Sequence, residues 1–244
     1  LYDEIIRDIL TSLEKQDKHI LPVGAAADPV SRDWQDAGKA MMILQSDMAY
    51  ELGGHNLPAV GNTLVTTGKD FVPEDEIILI GKDLPEITED TPYARIALVR
   101  VAEDSIGTGD RLYNTIRNIG YFRYHIYPKG FMLRVSSSND RESVRVEAEA
   151  LNEGLNFTAI GNAMLRALHL HKEVEAVRII FVTDPKVDYG RLQDGLKKTK
   201  QITATIDHML KDVNMDCGSC GLQEICDEIE GLREMHFGMS EEHT

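Results

Sequence analysis

Three cysteines near the C-terminus are the residues whose type and spacing most clearly indicate chemistry. They are the only cysteines among the 244 residues, and they stand at Cys217, Cys220 and Cys226. An odd, clustered set does not make a disulfide framework, and structural cysteines usually scatter through a core. The residues between the first two, Gly218 and Ser219, are small enough to admit a metal centre beside the backbone. The spacing therefore predicts a metal site with three thiolate ligands.

Three thiolates suit either an iron-sulfur cluster or zinc, and both require a fourth ligand or leave one position open. Three unliganded thiols are the alternative. His236 is the candidate fourth ligand. In an unbroken helix Cys226 and His236 would be about 15 Å apart, so ligation needs a break, which Gly231 can supply. A packing role for His236 and an oxygen ligand from a nearby acidic residue both stay open; those residues are Asp216, Asp227 and Glu228.

The charge balance narrows the class of partner. The chain has 26 Lys and Arg against 41 Asp and Glu, which gives a net charge of -15. Nucleic acid and anionic lipid are bound mainly by basic clusters, so we expect neither as a partner. No apolar run reaches the ~20 residues that cross a bilayer, and the expected location is the cytoplasm. The sequence begins at Leu1 and not at a methionine, so an upstream or removed targeting segment is left open.

Hydrophobic periodicity predicts the elements that must position the cysteines. Amphipathic helices are expected over 1–15 and 33–52, the second ending at Gly53 and Gly54. Further helices are expected over 108–119, 156–170 and 191–213. The β-branched, turn-bounded runs predict strands over 76–81, 95–102, 130–136, 143–147 and 177–183.

Strands that follow one another without a helix favour an α+β fold with a mixed sheet over a doubly wound parallel sheet. Proline residues suggest boundaries near Pro58 and Pro185. We therefore expect a helical N-terminal segment over 1–57, an α+β domain over 58–184, and a helix with a C-terminal iron-sulfur hook over 185–244.

Two weaker patterns concern basic side chains. Arg134, Arg141 and Arg145 suggest either a small anion-binding surface or an ordinary exposed strand face, and the second interpretation is favoured. His169 and His171 point to different sides of a helix or strand, so no chelate is expected from them.

The order of several short segments resembles a known family. The segments are MAYELGG at 48–54, IGKDLPEI at 80–87, LRVS at 133–136, GLNF at 154–157, GNAML at 161–165 and IIFVTD at 179–184. Over residues 48 to about 236 they resemble acetyl-CoA synthase, the β subunit of the carbon monoxide dehydrogenase/acetyl-CoA synthase complex. The resemblance covers that family's central domain and the start of its cluster-bearing domain.

The resemblance implies a [4Fe-4S] cluster, because the family holds the iron-sulfur part of its A-cluster with a C-x2-C pair and two further cysteines. Cys217, Cys220 and Cys226 match the first three positions, and His236 stands by count at the fourth. This correspondence implies a Cys3His ligand set.

Two departures from the family pattern bear on activity. The Cys-Gly-Cys motif that holds the family's distal nickel does not occur in this sequence. Met132 stands about where the family has a tryptophan associated with coenzyme A, while the sole tryptophan is Trp34. The helical segment over 1–52 replaces the family's large N-terminal domain, so a complete acetyl-CoA synthase is not expected.

The resulting expectation is a truncated, acetyl-CoA-synthase-like iron-sulfur protein that works in electron transfer, docking or assembly around corrinoid one-carbon metabolism. A protein partner is expected, of the corrinoid or carbon monoxide dehydrogenase type. One alternative is an enzyme subunit that needs another chain for its nickel ligands, so enzyme activity is left open. The other is a zinc-stabilised interaction module.

Overall fold

The structure is a computed structural model that describes residues 2–24, 42–54, 56–105, 110–121, 130–136 and 141–211. The helices in these ranges are α1 (Asp3–Ser12), α2 (Asp110–Tyr121), α3 (Ala148–Asn152), α4 (Phe157–Leu168) and α5 (Tyr189–Lys211). The strands are β1 (His19–Leu21), β2 (Met48–Leu52), β3 (Ala59–Thr66), β4 (Glu76–Ile80), β5 (Tyr93–Val101), β6 (Phe131–Ser136), β7 (Arg141–Glu147) and β8 (Val174–Val182). No helix in the described ranges is long and apolar enough to cross a membrane.

The strands form two sheets. The larger has the order β1-β4-β8-β5-β3, and the smaller has the order β2-β7-β6. In the larger sheet β3 pairs parallel with β5 and β4 parallel with β8, while β5 and β8 are antiparallel. The predicted α+β class, with a mixed sheet and an N-terminal helix, is confirmed.

The larger sheet is covered on both faces. On one face α4 packs closely, because Gly161 lies where a Cβ atom would be 2.8 Å from Ile77 of β4. Phe157 of α4 also stacks on Phe181 of β8, with ring centroids 4.5 Å apart. The smaller sheet lies against the same face at the β3 side, and α1 and α5 cover the opposite face. The core is therefore enclosed between helices on one side and a helix plus a second sheet on the other.

The helix predicted over 33–52 is wrong throughout its described part, where residues 42–47 are not helical and Met48–Leu52 is strand β2. Residues 33–41 lie outside the described ranges. Tyr50 and Leu52 are buried while Ala49 is exposed, which is the two-residue period of a strand. β2 pairs antiparallel with β7 and therefore closes one edge of the smaller sheet. Gly53, with φ of 62°, makes the turn after this strand and does not end a helix.

The N-terminal 57 residues contribute to both sheets. β1 pairs antiparallel with β4 at the edge of the larger sheet, and β2 pairs with β7 in the smaller one. Gly24 and Pro22, which follow β1, are held by the buried amide of Asn162 on α4: the Gly24 N–H donates to Oδ1 at 2.8 Å, and Nδ2 donates to the Pro22 carbonyl at 2.8 Å. The first segment is thus joined to the central strands by backbone pairing.

Candidate functional site

The predicted metal ligands Cys217, Cys220, Cys226 and His236 lie outside the described residues, as do the acidic alternatives at 216, 227 and 228. The description of the chain ends at Lys211 of α5, and five residues separate Lys211 from Cys217. Within the described part of the chain, no group of three or more His, Cys, Asp or Glu side chains could hold a metal ion. The structural question is therefore how the body of the protein holds the helix that leads to the cysteines.

α5 is attached to the body along its length. Its buried core side chains are Tyr189, Leu192, Leu196, Ile202 and Ile206. Gly195 brings α5 close to α1, because a Cβ atom at this position would lie 3.3 Å from Ile9 and 3.5 Å from Ile5. The helix is therefore packed against α1 at Gly195, and its apolar side chains are buried from its first turns up to Ile206.

Two polar contacts accompany this packing. Thr199 donates its hydroxyl to the Gly195 carbonyl at 2.8 Å, so its Oγ1 accepts from Asn62 Nδ2 of β3 at 3.4 Å. Thr203 donates to the Thr199 carbonyl at 2.9 Å, which leaves Tyr2 as the donor in the 3.1 Å contact between the two hydroxyl oxygens. Burial raises the pKa of Tyr2 to about 12, and the Thr203 hydrogen bond lowers it only in part. The middle of α5 is thereby tied both to β3 and to the residue that precedes α1.

The three arginines singled out in the sequence lie on the outer face of the smaller sheet. Arg134 Nη1 contacts Glu51 Oε1 at 2.5 Å, and Arg145 Nε lies 3.5 Å from the same oxygen. Arg145 Nη1 also donates to the Ile43 carbonyl at 3.1 Å. These guanidinium groups are therefore engaged by protein oxygens, which favours the interpretation as a strand face over an anion-binding surface.

Arg141 holds the turn that connects the two sheets. Its Nη2 donates to the carbonyl oxygens of Gly53, Gly54 and Leu57 at 2.9, 2.6 and 2.8 Å. This turn joins β2 of the smaller sheet to β3 of the larger one. Since Nη2 carries two N–H groups, one of them is shared between two carbonyl oxygens, and the Gly54 carbonyl also accepts the Leu57 N–H at 3.0 Å.

Met132, which stands where the resemblance expects a tryptophan, lies on the same outer face and pairs with Arg145 across the strands. Its sulfur accepts the backbone N–H of Ile43 at 3.1 Å. Ile43 is buried, while its neighbours Met42 and Leu44 are 77% and 55% exposed. The segment 42–44 therefore covers part of the arginine-bearing face.

A buried ion pair between the sheets was not predicted from the sequence. Arg95 of β5 and Glu142 of β7 form two hydrogen bonds, Nε to Oε1 at 2.6 Å and Nη2 to Oε2 at 2.8 Å. The signal in the sequence is that Glu142 shares the inward face of β7 with Val144 and Val146, where an apolar residue is expected. A charge on that face indicates a buried partner.

The two histidines have different contacts. His169 caps the C-terminal end of α4 and contacts Asp75 through Nε2 at 2.8 Å, while the backbone N–H of His171 donates to the Leu168 carbonyl at 3.0 Å. Asp75 also accepts the Val177 N–H at 2.8 Å. This contact ties the end of α4 to β8 and is structural.

The fold and these contacts define an α+β protein whose sheet domain carries a long helix toward a cysteine-rich segment. The model of the CO dehydrogenase/acetyl-CoA synthase complex beta subunit family matches residues 35–187, more than half of the chain. The chain belongs to this family. A search of curated proteins found no match. The matched range contains β2 through β8 and ends just before α5, so the sheet domain carries the family relationship.

Proposed function

We propose that this protein is a [4Fe-4S] protein of a CO dehydrogenase/acetyl-CoA synthase-type complex that acts in electron transfer, docking or assembly around corrinoid one-carbon metabolism. The observation that carries the proposal is the family match over 35–187, followed 30 residues later by three closely spaced cysteines. The sheet domain links the chain to the complex, because it is the part that the family model matches. In this proposal the cysteine segment holds the redox centre.

The donor set fits an iron-sulfur cluster. Thiolates are the soft ligands that such clusters use, and the three cysteines account for every cysteine in the sequence. Cys217, Cys220 and Cys226 would hold three irons, and His236 would hold the fourth. When bound, the cluster would supply one-electron exchange. The chain's own part is to present these ligands on a segment that follows the anchored helix α5.

A protein partner follows from the family description, which names a complex subunit. Exposed charges act over about a Debye length, so a chain with net charge -15 is suited to a partner with a basic patch. Association should weaken as salt rises from low to physiological ionic strength.

Anaerobic affinity capture tests the partner directly. The full chain and a variant with Cys217, Cys220 and Cys226 all changed to alanine are compared as baits in extract from a native source. Loss of a carbon monoxide dehydrogenase or corrinoid protein with the triple variant supports docking at the cysteine segment. The same captured proteins with both baits, or none with either, would count against that role.

A second candidate is an enzyme subunit whose nickel ligands come from another chain, which the acetyl-CoA synthase part of the family description favours. If all three cysteines bind iron, this chain has no thiolate left to bind nickel. Nickel, a methyl donor, carbon monoxide and coenzyme A should therefore give acetyl-CoA only when the partner chain is added. Product from this chain alone would contradict both candidates, and zinc in place of iron would indicate an interaction module.

A further inference from the structure

A continuous line of buried polar groups crosses the larger sheet, from the smaller sheet on one face to α5 on the other. It begins at Glu142 of β7, passes through Arg95 of β5 and Asn62 of β3, and ends at Thr199 of α5. These four residues are 2%, 0%, 3% and 7% exposed. Polar groups at this depth cost free energy unless they meet partners, so the line depends on specific contacts between the four elements.

Asn62 is the point at which the line passes from one face of the sheet to the other. Its backbone carbonyl accepts Arg95 Nη1 at 3.3 Å, and its side-chain Nδ2 donates to Thr199 Oγ1 at 3.4 Å. The next residue, Thr63, meets the same guanidinium through its side chain, with Oγ1 3.2 Å from Nη1. Neighbouring side chains of a strand point to opposite faces, so the Asn62 amide is directed to α5. The guanidinium thus holds the backbone of the residue whose side chain holds the helix.

The contact on α5 uses an oriented hydroxyl. Thr199 donates to the Gly195 carbonyl at 2.8 Å, which leaves its oxygen to accept from Asn62. Thr205 is 1% exposed and donates in the same way to the Gln201 carbonyl at 2.8 Å. In the described part of the chain the Thr205 hydroxyl makes no hydrogen bond to the sheet. The two threonines are therefore a matched pair that differs in the bond to Asn62.

We propose that Asn62 is a positioning residue, through which the Arg95–Glu142 pair fixes α5 on the sheet. The smaller sheet lies inside the family-matched range, whereas α5 follows that range and leads to the cysteines. A change at the smaller sheet that moves the guanidinium therefore moves the contact at Thr199, and the coupling acts in both directions. The inference rests on the proposed function for what α5 presents, while the coupling itself does not.

Amide hydrogen exchange of the full-length protein, followed by NMR, tests the anchoring of α5. Thr199→Val should raise the exchange rates of the amides at 199–206 about fivefold, the factor that corresponds to the loss of one hydrogen bond. Asn62→Leu should have the same effect, and Thr199→Ser, which keeps the hydroxyl, should restore the wild-type rates. Thr205→Val is the matched control and should leave these rates near those of wild type.

The Nε–H signal of Arg95, on the other face of the sheet, reports the coupling. This buried group donates to Glu142 Oε1 at 2.6 Å. Thr199→Val should shift the signal although α5 does not contact this nitrogen, while Thr205→Val should not shift it. Combined with Asn62→Leu, Thr199→Val should have no further effect on the signal or on the exchange rates, because the route through Asn62 is already broken.

Three results would each overturn the proposal: equal effects of Thr199→Val and Thr205→Val, an Arg95 signal that Thr199→Val leaves in place, or additive effects of Thr199→Val and Asn62→Leu. The threonine variants decide the proposal on their own if Asn62→Leu does not fold. Iron analysis of the same samples keeps the two proposals apart. Wild-type protein without iron would end the iron-sulfur assignment, while the exchange rates and the Arg95 signal would still decide the coupling.

Discussion

Arg95 and Glu142 join the two sheets through a bidentate ion pair in which the side chains are 0% and 3% exposed. Arg95 Nη1 also lies 3.3 Å from the Asn62 carbonyl and 3.2 Å from Thr63 Oγ1, so the guanidinium reaches β3 as well. Gly61 makes room for the pair, because a Cβ atom there would overlap the Glu142 carboxylate. The arrangement fixes the smaller sheet in one position on the larger one.

Breaking this pair from one side should destabilise the fold strongly. Arg95→Met should lower the free energy of unfolding by about 3–5 kcal/mol, because it leaves a buried carboxylate without its guanidinium partner. Arg95→Met combined with Glu142→Leu should recover most of that loss, since the buried charge is then gone. Urea unfolding checks both variants. Lys197→Met, which breaks the exposed contact with Asp194, is the control and should change stability by less than ~1 kcal/mol.

The stability of the protein at acid pH should depend on the protonation of Asp83. Burial raises the pKa of this carboxyl above its usual value, although Asp83 Oδ1 accepts the N–H groups of Leu84 and Phe157 at 2.7 and 2.8 Å. The folded state therefore binds the proton more tightly, and the stability that Asp83 contributes is lost as pH rises above about 4. Asp83→Asn keeps an Oδ1 acceptor for both N–H groups and removes the charge.

The Asp83→Asn variant should accordingly gain stability relative to wild type as pH rises from about 4 toward 7, and the two should converge at lower pH. Asp83→Ala should be less stable than Asp83→Asn by about 1–2 kcal/mol at all these pH values, because only in Ala does α4 lose its contact at Phe157 and the turn at Leu84 lose its cap. Thermal unfolding at several pH values checks this. If the stability difference between Asp83→Asn and wild type did not change with pH, the raised pKa of Asp83 would be contradicted.

Tyr2 should make the folded protein less stable as the pH rises above 10. Its pKa is raised by burial from 10 to about 12, so its contribution to stability is present below pH 10 and is lost as pH rises toward 12. Tyr2→Phe should cost about 1 kcal/mol at pH 7, where it removes the hydrogen bond to Thr203. Between pH 10 and 12 the variant should lose less stability than wild type. Parallel stability curves for the two proteins over that range would show that Tyr2 does not titrate on unfolding.

Most of the sheet domain could be predicted because its strands are β-branched and bounded by turns. The predicted strand at 177–183 corresponds to β8 (Val174–Val182), and the helix at 156–170 corresponds to α4. The apolar pattern does not predict β3 because Gly61 and Asn62 interrupt it. Gly61 makes room for the Glu142 carboxylate of β7, and Asn62 bonds Thr199 of α5, so both residues serve contacts with distant parts of the chain. β2 was assigned to a helix because Met48 continues a helical spacing, and only its pairing with β7 decides for a strand.

The site could be predicted only in part. The cysteine spacing is a local feature of the sequence, and so is the long helix that precedes it. The Arg95–Glu142 pair joins residues 47 positions apart, and Asn62 meets Thr199 across 137 positions. Such contacts depend on how the two sheets and α5 are packed, which no local pattern specifies.

His236 is the fourth cluster ligand in our proposal, and its replacement should change the redox potential. Histidine ligation raises the potential of Rieske centres relative to all-cysteine clusters. His236→Cys should therefore lower the potential of this cluster, measured by anaerobic redox titration. An unchanged spectrum and potential in His236→Ala would assign the fourth position to another ligand.

Metal and sulfide analysis of anaerobically purified protein, together with its visible absorption spectrum, tests the central claim most directly. The account predicts about four irons and four sulfides per chain with broad visible absorption, and loss of both in Cys220→Ala while the circular dichroism of the sheet domain is retained. Stoichiometric zinc without iron, or no bound metal, would contradict it.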